Sequence, residues 1–132
     1  MHSKFFIVMI GTWLLFMIIA IINALLRNVV YKPIIGDLRA HQVSTIIFMA
    51  LILIVTYLVL KVTHLELTTQ ETFIIGTVWL LLTICFEFLA GHYVFGNSID
   101  KLIVDYNILK GRIWSLVLIT TFFAPFLTHK LV

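Results

Sequence analysis

Four long apolar runs are the feature that most constrains this chain. A helix that crosses a bilayer needs about 20 consecutive, mostly apolar residues. The first run extends from Phe5 to Leu26 and is ended by Arg27. The four runs lie at about 5–26, 43–60, 72–95 and 113–128. They predict an all-α polytopic membrane protein with four transmembrane helices, forming a single transmembrane domain over residues 1–132.

Composition excludes the other broad classes of protein. The chain is 62% hydrophobic and only 11% charged, whereas soluble domains are about 25% charged. Its one cysteine, Cys85, cannot form a disulfide within the chain. The first apolar stretch, Phe5–Ile22, has 18 residues, and signal peptides have shorter apolar regions. We therefore expect a retained first helix rather than a cleaved leader.

The links between the apolar runs predict different structures. Thr68 or Thr69 is suited to cap the third helix, and Asp37 is suited to cap the second. Over 97–110, apolar residues recur at a helical spacing on one face, and polar residues tend to fall on the other face. This pattern is typical of a short amphipathic helix that lies in the membrane interface, between the third and fourth helices. A plain polar loop is the alternative for this segment.

The distribution of basic residues predicts the orientation. One side of the predicted bundle holds six: Arg27, Lys32, Arg39, Lys101, Lys110 and Arg112. The other side holds three: Lys4, Lys61 and Lys130. The positive-inside rule assigns the six to the cytoplasm, so both termini are expected in the periplasm of a bacterial inner membrane. Anionic lipid accounts for the basic balance, and no nucleic-acid partner is needed.

This topology gathers polar residues at the cytoplasmic end of the bundle. Helices one and three run inward, and helices two and four run outward. The candidate binding or coupling residues are Asn23, Arg27, His41, Gln42, Glu87, His92, Tyr106 and Arg112. No ligand spacing supports a metal or haem site among the histidines, so we expect no metal and no cofactor. Gly11, Gly76 and Gly91 are interpreted as points of close helix packing.

Glu87 is the leading candidate because it lies within an apolar helix. An ionised group at mid-helix costs roughly 2.5–3.5 kcal/mol on insertion scales, so it should face the protein interior or water and have a partner. Arg27 is the first candidate partner, followed by Arg112 and His92. The functional interpretation is a coupling or binding carboxylate. The structural alternative is an ion pair that holds helices together.

Two resemblances add to this interpretation. Four stretches together resemble small four-helix bacterial membrane proteins of uncharacterised function: Ala40-His41-Gln42, Phe86 to Tyr93, Asp105-Tyr106-Asn107 and Gly111-Arg112-Ile113-Trp114. Arg39-Ala40-His41, at the start of the second helix, is similar to a motif of the MAPEG family, the trimeric membrane glutathione transferases and their relatives. That resemblance implies four helices and a glutathione site near the cytoplasmic face.

Three functions are compatible with these features. The first is a homo-oligomeric transporter or channel for a small solute or ion. The second is a membrane enzyme that acts at the cytoplasmic leaflet on an anionic cosubstrate, through MAPEG-like glutathione or lipid chemistry. The third is a structural subunit of a larger membrane complex.

Overall fold

A computed structural model describes residues 3–89, 96, 100 and 115–132. The described part of the chain is all-helical and has no strand. It comprises α1 (Ser3–Leu26), a π-helical segment (Arg27–Tyr31), α2 (Lys32–Ile35), α3 (Asp37–Thr63), α4 (Thr69–Leu89) and α5 (Ser115–His129). Within the described residues, three stretches are long and apolar enough to cross a membrane, namely Ser3–Ile35, Asp37–Thr63 and Thr69–Leu89. α5 is apolar but shorter. The predicted interfacial helix over 97–110 lies outside the described residues, apart from Asp100.

The first helix is longer than the first apolar run. After Leu26 the chain continues as a π-helical turn, in which the Lys32 amide donates to the Arg27 carbonyl oxygen. In a regular α-helix, the ring of Pro33 would clash with the carbonyl of Val29, four residues earlier. The wider π-helical turn relieves this clash, so the segment expected to be a linker remains largely helical.

α3 begins earlier than hydropathy alone predicts. Gly36 takes the N-cap position with φ 86° and ψ 167°, a backbone conformation that residues with a Cβ rarely adopt. Asp37 is therefore the first residue of the helix, and the expectation that it forms the cap is wrong. The helix starts near residue 37 rather than 43 because its first turns are polar, which a hydropathy boundary leaves out.

The link between α3 and α4 contains a helix cap at a position where the sequence predicts one. α3 ends at Thr63, and its C-cap residue, His64, adopts a left-handed conformation with φ 55°. The Thr68 hydroxyl accepts from the Glu71 amide at 3.2 Å, and the Glu71 carboxylate accepts from the Thr68 amide at 3.0 Å. This reciprocal pair is a capping box, which confirms the predicted cap at Thr68.

Helix directions alternate through the bundle. Asn23 of α1 contacts Ser44 of α3, whereas Met9 and Leu60 line one recess farther along the same pair. α1 and α3 are therefore antiparallel. α5 packs along both α3 and α4, and it runs antiparallel to α4, because Phe73 stacks on Phe126 while Gly76 lies against Phe122.

The core lies where the helices converge, and the outer faces remain apolar. Buried side chains from all four long helices form one cluster, including Phe5, Phe16, Phe48, Ile52, Ile75, Trp79 and Val117. Many large aliphatic side chains are exposed, among them Ile7, Leu14, Ile18, Ile46 and Leu81. Apolar patches of this extent are typical of a surface that faces lipid.

Candidate functional site

A buried polar cluster joins α1 to α3 near the end of the bundle where α1 leads into the π-helical segment. The Asn23 side-chain amide donates to the Ser44 carbonyl oxygen at 3.0 Å. Both residues are buried, and so are His41 and Thr45. The structure thus brings together two residues that the sequence predicted at one site, Asn23 and His41, and adds Ser44 and Thr45.

Hydroxyl groups of α3 bond back to the carbonyl oxygen of His41. Thr45 donates to this oxygen at 2.6 Å, and Ser44 donates to it at 3.1 Å. Such bonds satisfy the hydroxyl donors without reaching another helix. They also compete with the backbone hydrogen bonds of the helix and slightly destabilise it locally. Asn23, in contrast, carries a side-chain hydrogen bond between α1 and α3.

Arg27 and Gln42 lie at the edge of this cluster. Arg27 follows Asn23 by four residues, which puts both side chains on one face of the helix, and Arg27 is half-buried. Gln42 is also half-buried. In the triplet that resembles the MAPEG motif, Arg39 is exposed whereas Ala40 and His41 are buried.

Two tryptophan hydrogen bonds define the register between α1 and α4. The Trp13 indole donates to the Thr83 hydroxyl at 3.1 Å, and the Trp79 indole donates to the Met9 carbonyl oxygen at 2.8 Å. The two partners are 70 residues apart in both bonds. α1 and α4 are therefore parallel, as the alternating topology requires.

This register gives the depth of Glu87 in the bundle. An offset of 70 residues puts Glu87 opposite Met17 of α1. Glu87 is half-buried and follows Thr83 by one helical turn, so the two residues share a face of α4. Glu87 therefore lies on or beside the seam with α1, at the level of Met17.

Glu87 and the polar cluster occupy different levels. Asn23 lies six residues beyond Met17 on α1, about 9 Å along the axis, and Arg27 lies ten residues beyond it, about 15 Å. The sequence placed Arg27 and Glu87 at similar depth, but the register separates their backbones by this distance. A direct contact requires both long side chains to extend toward each other.

Three predicted site residues lie outside the described part of the chain. They are His92, Tyr106 and Arg112. Their membership of the site stays a prediction, as does the suggestion that His92 or Arg112 is a partner of Glu87. Within residues 3–89 and 115–132, together with Gly96 and Asp100, no three His, Cys, Asp or Glu side chains are arranged to hold a metal ion. Cys85 is exposed.

Several buried threonines are not among the site residues that the sequence predicts. They occur on every long helix: Thr12, Thr45, Thr56, Thr72, Thr83, Thr121 and Thr128. Those of α5 donate to carbonyl oxygens one turn back, at 2.7 Å each. Each of these threonines lies on the inward face of its helix. The positions of threonine within the apolar runs are the sequence signal that could have predicted this.

A small recess lies where the four long helices meet. Its walls include Thr12, Thr56, Trp79 and Pro125, and are otherwise apolar. It has room for about one water molecule. A recess of this size and polarity does not suit a substrate, so it is a packing feature of the bundle rather than a candidate site.

Comparisons of the chain with protein-family models, with curated proteins and with solved structures give no match in any of the three.

Proposed function

We propose that this chain is a polytopic membrane protein that forms a homo-oligomer and transports or conducts a small solute or ion, with Glu87 as its coupling carboxylate. The observation that carries the proposal is that Glu87, in an otherwise apolar stretch of α4, is half-buried. Ionisable residues at such depth are rare in membrane helices and usually belong to ion, proton or substrate pathways.

The depth of Glu87 supports this assignment. Met17, its counterpart on α1, is about 4 Å along the axis from the midpoint of Ser3–Leu26. A bilayer centred on α1 thus has Glu87 near its middle. A carboxylate at that level is costly unless water, an ion or a polar partner reaches it, and a transport pathway provides such an environment.

The proposed topology has four spans and an interfacial helix over 97–110. α5 contributes 15 residues, about 22 Å, to the fourth span that the sequence predicts at about 113–128. The excess of basic residues at the end that holds Arg27 and Arg39 assigns it to the cytoplasm. Both termini are then periplasmic in a bacterial inner membrane.

An oligomer is part of the proposal because one copy is small. Among the described residues, the recess that the four long helices share accommodates about one water molecule. We propose that the pathway for an ion or solute past Glu87 lies between copies. The lipid bilayer and further copies of this chain are the proposed partners.

Proton flux through proteoliposomes tests the proposal. Vesicles loaded with a pH-sensitive dye should equilibrate an imposed pH gradient faster with wild-type protein than without protein. Glu87→Gln should remove most of this difference, because it removes the titratable group and preserves the shape of the side chain. Glu66→Gln is the matched control, since Glu66 is exposed in the link before α4 and flux should be retained.

Folding and flux must be measured on the same samples. Circular dichroism and gel filtration should give the wild-type profile for both variants. Equal flux by wild type and Glu87→Gln would contradict a coupling role. Flux no faster than in empty vesicles, repeated with sodium and potassium gradients, would contradict ion transport as a whole.

A structural subunit of a larger complex is the second candidate. The hydrogen bonds that polar side chains make between helices favour it. Asn23, Trp13 and Trp79 all make hydrogen bonds between helices. Polar residues that join helices in this way are typical of membrane protein packing. Purification from native membranes with a second protein at constant stoichiometry, together with no flux, would support this candidate over transport.

A further inference from the structure

The corner between α1 and α3 combines exposed apolar and basic side chains. We define the interfacial corner as residues 27–39, which comprise the π-helical segment, α2, Gly36 and the first turn of α3. Val29 is 72% exposed and Ile34 is 76% exposed. Lys32 and Arg39 are also exposed. This combination suits neither bulk water nor the hydrocarbon core alone.

Helix length puts the interfacial corner at the membrane surface. The continuous helical stretch Ser3–Ile35 has 33 residues, about 50 Å of helix, whereas the hydrocarbon core of a bilayer is about 30 Å thick. The run Phe5–Leu26 is sufficient to fill this core. The residues from Arg27 onward then lie at the level of the lipid headgroups.

The charges of the interfacial corner are mainly positive. It contains Arg27, Lys32 and Arg39, and its single acid is Asp37. The Lys32 ammonium lies 3.8 Å from a carboxylate oxygen of Asp37, and both side chains are more than half exposed. An exposed pair at this distance is weak and easily exchanged, so Lys32 can still bind an external anion.

We propose that the interfacial corner is a binding surface for anionic phospholipid. The lipid phosphate contacts Lys32 and Arg39, and the upper acyl chains cover Val29 and Ile34. The apolar side chains identify a lipid rather than a soluble anion, because inorganic phosphate offers nothing to cover them. The proposal requires insertion into a membrane but not transport, so it stands or falls independently of Glu87.

Spin-labelled lipids provide the test, with full-length protein in phosphatidylcholine vesicles. The measured quantity is the association of labelled phosphatidylglycerol with the protein relative to labelled phosphatidylcholine. Wild type should prefer phosphatidylglycerol, and Lys32→Gln with Arg39→Gln should lower the ratio by about threefold or more. The matched control is Lys61→Gln with Lys130→Gln. It removes two exposed cations at the other end, where Glu66 and Glu71 lie nearby, and should change the ratio little.

Two further conditions separate charge and lipid from other causes. Molar salt shortens the Debye length to about 3 Å and should remove most of the preference in wild type. Added inorganic phosphate, compared with chloride at equal ionic strength, should not compete. Equal association of both lipids with wild type, an equal loss in the control variant, or competition by phosphate would each overturn the proposal.

A depth measurement tests the apolar half of the surface. Cys85→Ser removes the only cysteine, so Ile34→Cys in that background carries a single spin label. The label should be more accessible to oxygen than to a water-soluble nickel chelate, as in the upper acyl region. Greater accessibility to the chelate would place Ile34 in water and overturn the assignment of a lipid.

Discussion

Two seams of the bundle are held together in different ways. Between α1 and α3, near the interfacial corner, the Asn23 side chain donates to a buried backbone carbonyl of Ser44. Between α4 and α5, toward the other end, Gly76 lies directly against the Phe122 carbonyl oxygen, and Phe73 stacks on Phe126 with ring centroids 5.0 Å apart. One seam uses a hydrogen bond, and the other uses close approach of backbones.

The contrast follows from the solvent. In lipid, apolar side chains gain little by leaving the acyl chains, so helices associate through close packing and hydrogen bonds instead. Close packing requires a small residue where two backbones meet, and it fails when that residue grows. A single hydrogen bond between membrane helices contributes modestly to the free energy of their association. The two seams should therefore differ in their sensitivity to substitution.

Gly76→Ala should have the largest effect. The new Cβ would overlap the Phe122 carbonyl oxygen, a backbone atom, so α5 must move away from α4. We expect a loss of about 3 kcal/mol in the free energy of unfolding, measured by titration with a denaturing detergent and circular dichroism.

Gly11→Ala is the matched control for that experiment. Gly11 lies in an apolar helix as well, but nothing is within 4 Å of its added Cβ. The substitution should leave stability unchanged or raise it slightly, because alanine favours the helix. Similar losses for the two glycines would show that close approach at Gly76 does not hold the seam.

Asn23→Ala should have the second largest effect. It removes the hydrogen bond to Ser44 and leaves a gap at a buried position, so we expect a loss of about 1–2 kcal/mol. The same detergent titration measures it. A loss equal to that of Gly76→Ala would contradict the proposed difference between the seams.

Trp13 and Thr83 test the seam between α1 and α4. Trp13→Phe keeps an aromatic ring next to Phe86 and removes the indole donor, while Thr83→Val removes the acceptor with similar shape. Each bond of this kind contributes about 0.6 kcal/mol on average. A double-mutant cycle should give a coupling of that size, and independent, additive effects would show that the bond adds nothing.

Ser44→Ala should have the smallest effect. Asn23 binds the Ser44 backbone carbonyl, which alanine retains, and the lost hydroxyl bonds only within α3. We expect a change below about 0.5 kcal/mol. A loss as large as that of Asn23→Ala would mean that the hydroxyl, rather than the inter-helix bond, stabilises this cluster.

Local patterns were sufficient for several predictions. Apolar runs predicted an all-helical chain, and Thr68 or Thr69 was predicted to cap α4. The reciprocal hydrogen bonds with Glu71, three residues later, identify Thr68 as the cap. Of the three glycines interpreted as packing points, Gly76 is confirmed, whereas Gly11 faces open space and the interpretation is wrong there. Gly91 lies outside the described residues. A glycine in an apolar helix does not itself reveal which face meets another helix.

The sequence alone predicted lipid as the solvent, a helical class, and a polar region that includes Asn23 and His41. These predictions depend on hydropathy, helical period and alternation of direction, which are readable along the chain. The offset of 70 residues between α1 and α4, which puts Glu87 opposite Met17, follows only from the three-dimensional packing. The same is true of the burial of His41 and the exposure of Arg39. Register and burial depend on how side chains from distant segments fit together, and apolar runs of similar length leave many such fits open.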